Sequence, residues 1–555
     1  MHRITALVFT VIACISTHAQ IYINGRKAVY DSQHNFMLAT IPESALGNDY
    51  EATIRIDSEW RMVIINGKKI TDSYTFSRVE TNKQYVLSFA DTLGNVKTCH
   101  LSFTFLPLLQ LSGNFGYNYQ QGTFFFVHPD SSQTEIFPVN IKWRGGTTNG
   151  WDKHKRNYKI ELAEDHRFFN LRSDNHWLLD AGQADVFRLR NHIATEIWND
   201  FATRPYYSNK KPNALSGTRG EIVEVFLNNE YMGIYRFMEN LDRKQMKLKK
   251  VDAETGEIHG CLWKAKGYGA SMMYQLPEEP YDNHQSKWNV FEVKYPDFND
   301  NDTTDYSTLY NAIDFVVNAH DTAFIAHVAE YFDLPVLADY AVFFSVLSAA
   351  DNNGKNTMWA VYDKAVDKKL TLAVWDLDAT VGQKWIALYS DENYLPSTLL
   401  DAAAFVYRRL HDNNNLTGFT DSVTNRYNKL RQGIFSTDSL IARYQHCYQL
   451  LKRSGAATRE EARWSGDSDV NGMTIDFDDE IEYICNWITE HMQWMDMATF
   501  PVEDWFENRK AGLNKQPQWL SDTSSEAVYT LSGQRIYGRP RSGIYIRKGK
   551  KYIVH

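Results

Sequence analysis

Beyond its first twenty residues this 555-residue sequence has no apolar run long enough for a bilayer-spanning helix, so no transmembrane segment is expected. Cysteine is scarce: five occur, at 14, 99, 261, 447 and 485, and none has CxxC spacing, so a structural zinc site is not expected. The four that follow Cys14 allow two disulfides in three pairings, but a chain this large does not need them. There is no basic excess. With 59 Lys and Arg against 68 Asp and Glu, the net charge is -9, which argues against a general nucleic-acid binder. The composition is 43% hydrophobic and 23% charged, that of a globular chain of two to four domains. Aromatic content is high at 14%, which suits large cores and also carbohydrate-facing surfaces.

Met1-His2-Arg3 is a short basic start, followed by an apolar stretch from Ala6 to Ile15 and by Thr17-His18-Ala19 before Gln20. That layout predicts a secretory signal peptide over 1–19 and an exported protein, secreted or held at the cell surface. The alternative is lipoprotein processing at Cys14, which the strand-like Ile21-Tyr22-Ile23 directly downstream disfavours. Residues 20–105 read as short strands, with Asn24-Gly25 and Asn66-Gly67 as hairpin turns, and predict a small β-sandwich-like module. From 106 to 500 a strand-rich part precedes a helix-rich one. This predicts a bilobal α+β domain with a cleft between its halves. Helical spacing is expected over Phe187–Phe201, Ile325–Phe332, Leu334–Ala349, Ser439–Leu451 and Asp479–Met497. Residues 501–525 read as a polar linker, and 526–555 as a short β tail.

The most informative stretch runs from Asp351 to Asp378. A helix ends, and a polar loop follows with Asp351 and Asn356 five positions apart. A predicted hairpin, Thr357–Tyr362 and Leu370–Trp375, then returns Asp376-Leu377-Asp378 beside that loop. Carboxylates and a carboxamide so gathered suit Mg2+ held across phosphate oxygens, and D-x-x-x-x-N is the spacing of a kinase catalytic loop. Each half alone is an ordinary turn; their pairing at hairpin distance is what points to phosphoryl transfer. Upstream, Arg144-Gly145-Gly146-Thr147-Thr148 can bring backbone N–H groups and Arg144 to phosphates. Lys159 on the next strand and Glu196 on the next helix follow the order of a kinase's phosphate-orienting ion pair, with Lys155 and Arg190 as competing phosphate contacts.

From Ile141 to about Trp385 the chain resembles the CotH kinase family of atypical kinases related to spore coat kinases. The matching pieces are Arg144–Thr148, Tyr158–Leu162, His176–Leu179, Leu189–Asn191, Val223–Tyr235, Asp351–Asn356 and Trp375–Asp378. The resemblance implies a divergent protein-kinase-like fold that binds ATP with Mg2+, or Mn2+, and phosphorylates Ser or Thr of a protein acceptor. In that reading Asp351 is catalytic, Arg144, Lys159, Glu196 and Arg190 hold the nucleotide, and Asn356, Asp376 and Asp378 hold the metal. The choice between Lys155 and Lys159 stays open. The tail Val528–Gly533 with Gly543–Ile546 resembles a type IX secretion sorting domain, which implies a location outside the outer membrane. Two other readings compete: a surface protein binding glycan or an envelope partner on a kinase-like scaffold, and a metal-dependent hydrolase using Asp376 and Asp378.

Overall fold

The computed structural model describes residues 20–497, apart from 57–59, 92–93, 299–301, 385–387, 390–404 and 413–414, together with four strands between 528 and 554. The expected signal peptide and linker lie outside the described residues. Among those residues the fold is mixed α+β, with ten α-helices and strands concentrated in the first half. No described helix is long and apolar enough to cross a membrane. Cys99, Cys261, Cys447 and Cys485 are free thiols.

Residues Ile21 to Thr104 form a nine-stranded sheet. Both Asn-Gly pairs turn hairpins with φ positive at each residue: 49° and 79° at Asn24-Gly25, 48° and 78° at Asn66-Gly67. This is the twist that two-residue hairpins require. The strand Arg26–Asp31 pairs through its first half with Ile21–Ile23 and through its second with Phe36–Thr40. The sheet can therefore fold over on itself, and Ile23, Ile54, Val63, Phe76 and Phe103 from its separate parts share one apolar cluster.

A closed barrel of seven strands follows, running from Leu108–Gly113 to Glu230–Glu239. Its closure is parallel, pairing Leu108–Leu111 with Glu224–Leu227. The period of two explains how the barrel joins its neighbours. Phe124 and Phe126 enter the main core, whereas Phe125 and Val127 turn outward to pack with Val29, Leu38 and Tyr231. The Tyr231 backbone N–H also donates to Asp31 of the first sheet at 2.9 Å.

The helix Arg190–Phe201 packs against the barrel through Ile193 and Ile197, and its Trp198 and Phe201 rings meet Phe343. Phe343 lies on Leu334–Leu347, a helix buried on every side from Val336 to Leu347. Such a helix is largely hydrophobic on every face because other elements surround it, and its buried Asp339 is paired with Arg426. A five-stranded sheet lies beyond it, in which Cys261–Ala265 pairs with Thr357–Val361 and that strand with Thr371–Val374. Helices Phe419–Arg431, Thr437–Ser454, Ala456–Trp464 and Phe477–Met497 complete the second half. Each of the five expected helices exists, differing from expectation by a few residues at its ends.

Candidate active site

The hairpin Thr357–Val361 and Thr371–Val374 is buried at every residue, which fixes its register: Thr357 lies opposite Val374. The residues just outside that pair, Asn356 and Trp375-Asp376, are thus forced side by side. Asn352 fastens them, its Nδ2 donating to the Trp375 carbonyl at 2.8 Å and the Asn356 carbonyl at 3.4 Å. Asn356 and Asp376 both take the left-handed conformation, with φ of 54° and 61°, so each chain end turns sharply out of its strand. Beyond Asp376, the Leu377 N–H donates to Asn191 Oδ1 at 3.1 Å, and Asn191 Nδ2 donates to Asp180 at 2.6 Å. This ties the acidic turn to the barrel's own helix.

A cavity of about 350 Å³ opens here, between the Arg144–Thr148 loop on one side and Asp351, Asn356, Asp376 and Asp378 on the other. The loop is braced from outside. Tyr117 Oη donates to the Asn149 carbonyl at 2.9 Å, and Arg156 donates to that of Gly150 at 2.6 Å. Arg144 lies over the Trp375 ring at 5.1 Å, and Lys264 lies 5.5 Å from the same ring. Burial pulls Lys264 down to about 8 despite the nearby charge of Asp376. Burial also raises the Asp378 carboxyl well above the usual range, and the charges of Asp376, Asp180, Asp185 and Asp351 raise it further.

Asp351 is heavily bonded. Lys355 Nζ lies 2.6 and 2.7 Å from its two oxygens, Asn356 Nδ2 donates at 2.8 Å, and Tyr268 Oη donates at 3.1 Å. Burial and the Asp351 charge raise the Tyr268 phenol, which keeps it a proton donor.

Among the expected site residues, Arg144, Asp351, Asn356, Asp376 and Asp378 share this cavity, while Lys159, Glu196 and Arg190 do not line it. Tyr158 and Ile160 enter the barrel core, so Lys159 between them faces outward, opposite Lys142 and near the Tyr119 ring. Glu196 faces His192 at 3.4 Å, so the expected Lys159–Glu196 pair is not brought together. Arg190 is buried between Asp185 at 2.8 Å and Glu480 at 2.6 Å, where it anchors its helix to the last one. Lys155, the competing lysine, is buried too, its Nζ bonded to the carbonyls of Met232 and Ile234 and to Glu460. Lys264, Lys355, Tyr268 and Asp180 were missed. Lys264 carried a signal, being the lone charge in the apolar strand Cys261-Leu262-Trp263-Lys264-Ala265.

No group of three or more His, Cys, Asp or Glu with metal-holding geometry occurs among the described residues. The cavity's oxygen donors include the carboxylates of Asp376, Asp378, Asp351 and Asp180 and the Asn356 carboxamide, hard ligands whose crowding at Asp378 a cation would relieve. That donor set fits Mg2+, which binds through one or two carboxylates and completes its shell with phosphate and water.

A family model described as CotH kinase protein matches residues 141–495. The chain belongs to that family. In this CotH-family chain the matched span begins in the strand that leads into the Arg144 loop and ends within the last described helix, so it takes in every residue lining the cavity. The nine-stranded sheet lies outside it. Comparison with curated proteins finds no similar sequence.

Proposed function

We propose that this protein is an exported, ATP-dependent kinase of the CotH type that transfers the γ-phosphoryl group to Ser or Thr of a protein acceptor. The observation that supports this most is the convergence, on one cavity, of a Gly-rich loop with Arg144, the lone strand lysine Lys264, and the Asp351, Asn356, Asp376 and Asp378 set. In this reading the barrel and the helical half act as the two lobes of a kinase-like core. Asn356, Asp376 and Asp378 would hold Mg2+, or Mn2+, whose charge would offset that of the phosphates. Arg144 and Lys264 contact phosphate oxygens, replacing the Lys159–Glu196 arrangement. Asp351 orients the acceptor hydroxyl and receives its proton. The basic and apolar N-terminus supports export, and the four C-terminal strands are proposed as a type IX sorting tail.

One observation favours a binding role instead. Trp151, 76% exposed, and Tyr117, 43% exposed, pack edge-to-face with Trp143 and with each other into a surface aromatic cluster of the kind that sugar rings contact. A thermal-shift titration separates the readings. ATP with Mg2+ or Mn2+ is expected to stabilise the protein by about 2.7 kcal/mol at a hundredfold excess over Kd. Absence of any shift with every nucleotide and metal tried would leave the binding scaffold.

Lys264 also makes the binding pH-dependent. Its protonated form contacts phosphate, and its pKa is pulled down to about 8 by burial, with Lys294 and Arg144 lowering it and Asp376 and Glu292 raising it. Nucleotide affinity should therefore hold below pH 8 and weaken as pH rises through that value, with bound phosphate moving the midpoint upward. A Lys264→Arg variant keeps its charge across this range and should flatten the decline. An unchanged alkaline decline in that variant would assign the titration to another group.

A further inference from the structure

Two of the three side chains that bond Asp351 belong to its own loop, but Tyr268 does not. It sits in the turn after Cys261–Ala265, and its phenol reaches Asp351 Oδ1 at 3.1 Å while the ring is 44% exposed. Glycines flank it as Gly267-Tyr268-Gly269. Gly269 has φ of 89°, a conformation that favours glycine, with nothing within 4 Å of where a Cβ would stand. Lys355 Nζ lies 5.5 Å from the ring centre as well as on the Asp351 carboxylate. A phenolic hydroxyl thus donates to the very carboxylate that, in the kinase reading, must receive an acceptor hydroxyl.

We propose that Tyr268 is a phosphoryl acceptor of this chain, modified in cis from a nucleoside triphosphate bound in the adjoining cavity. The proposal rests on the kinase reading. In the step, Tyr268 Oη forms a bond to the γ-phosphorus while the bond from that phosphorus to the β–γ bridging oxygen breaks. The nucleoside diphosphate departs with the bridging oxygen and its electron pair, and the phenolic proton passes to Asp351 and on to water. The product carries a phosphate dianion that Asp351 repels. The modified ring should leave through its glycine-flanked turn, and Asp351 is then free for a hydroxyl from outside.

The full chain is incubated with γ-labelled ATP and Mg2+ or Mn2+ at several protein concentrations, and the label is mapped by proteolysis and mass spectrometry. The expected result is label on Tyr268, with a fractional rate independent of protein concentration and approaching one phosphate per chain. Tyr268→Phe should lose that label while keeping the ATP-dependent thermal shift, and Asp351→Asn should slow labelling at least tenfold while keeping the shift. Label confined to other residues, a fractional rate that rises with protein concentration, or no label in a protein that shows the nucleotide shift would each overturn the proposal and leave the kinase reading standing. Absence of both label and shift would overturn the two together.

Discussion

An Asp376→Asn variant is expected to lose metal-dependent nucleotide binding by a factor of about ten or more, at least ~1.4 kcal/mol. The substitution is nearly isosteric, and Asn tolerates the left-handed backbone that Asp376 adopts at φ 61°, so the fold should not be disturbed. What is lost is a negative charge among the donors that would face the metal, beside Asp378 and Asn356. Asp351→Asn should behave differently. Its carboxylate is bonded to Lys355, Asn356 and Tyr268, and its proposed role is to position and deprotonate an acceptor. Nucleotide affinity should stay within about twofold, while turnover falls by roughly 10²-fold or more, as for loss of a general base. Thermal-shift titrations and radiolabelled phosphotransfer on both variants resolve the two roles. Equal and mild effects would reduce the Asp351–Asp378 stretch to a structural turn.

The largest effect on stability is expected from Glu460→Ala. Glu460 is fully buried and accepts from Lys155 Nζ at 2.9 Å, Arg188 Nε at 2.7 Å and the Ile234 N–H at 2.7 Å. The site leaves no slack, since a Cβ on Gly233 would stand 1.8 Å from Glu460 Oε2. Removing the carboxylate would strand the Arg188 cation in the interior and leave Lys155, already pulled down to about 7 by burial, to lose its proton. Breaking a buried pair from one side costs roughly 3–5 kcal/mol. A marked fall in Tm and in soluble yield is expected, with Glu460→Gln intermediate because its amide can still accept. A Tm within a degree of the parent would show that the cluster is redundant with the packing around Trp464.

The acidic side of the candidate site was legible because it is local. Asp351, Asn356, Asp376 and Asp378 all flank one hairpin, whose apolar strands and polar turn are written contiguously, so sequence distance translated into spatial distance. The Asn-Gly hairpins and the amphipathic helices were readable for the same reason. The basic side was legible only in part, Arg144 being named and Lys264 not, because Lys264 is brought in by long-range pairing. Lys264 reaches the cavity only because Cys261–Ala265 pairs with Thr357–Val361, a partner nearly a hundred residues away. Arg144, named in advance from its Gly-rich loop, reaches it from the end of the barrel strand Thr134–Arg144. The Lys159–Glu196 expectation followed chain order alone, and strand alternation carried Lys159 to the outer face instead.

In the proposed reading, the left-handed backbone at Asp376 sets directed evolution of this protein against its own chemistry. A non-glycine residue in that conformation stores strain on the order of 1 kcal/mol, less for Asn and Asp than for other residues. Glycine in place of Asp376 would relieve it, so a selection for thermal tolerance alone should recover Asp376→Gly as a neutral or gain-of-stability variant, whereas Asn356→Gly would also lose the buried bond from Asn356 Nδ2 to Asp351. Each such clone would have discarded a donor from the cavity. Heat resistance and nucleotide binding should thus trade off at Asp376, whereas at solvent-facing sites elsewhere they should vary independently.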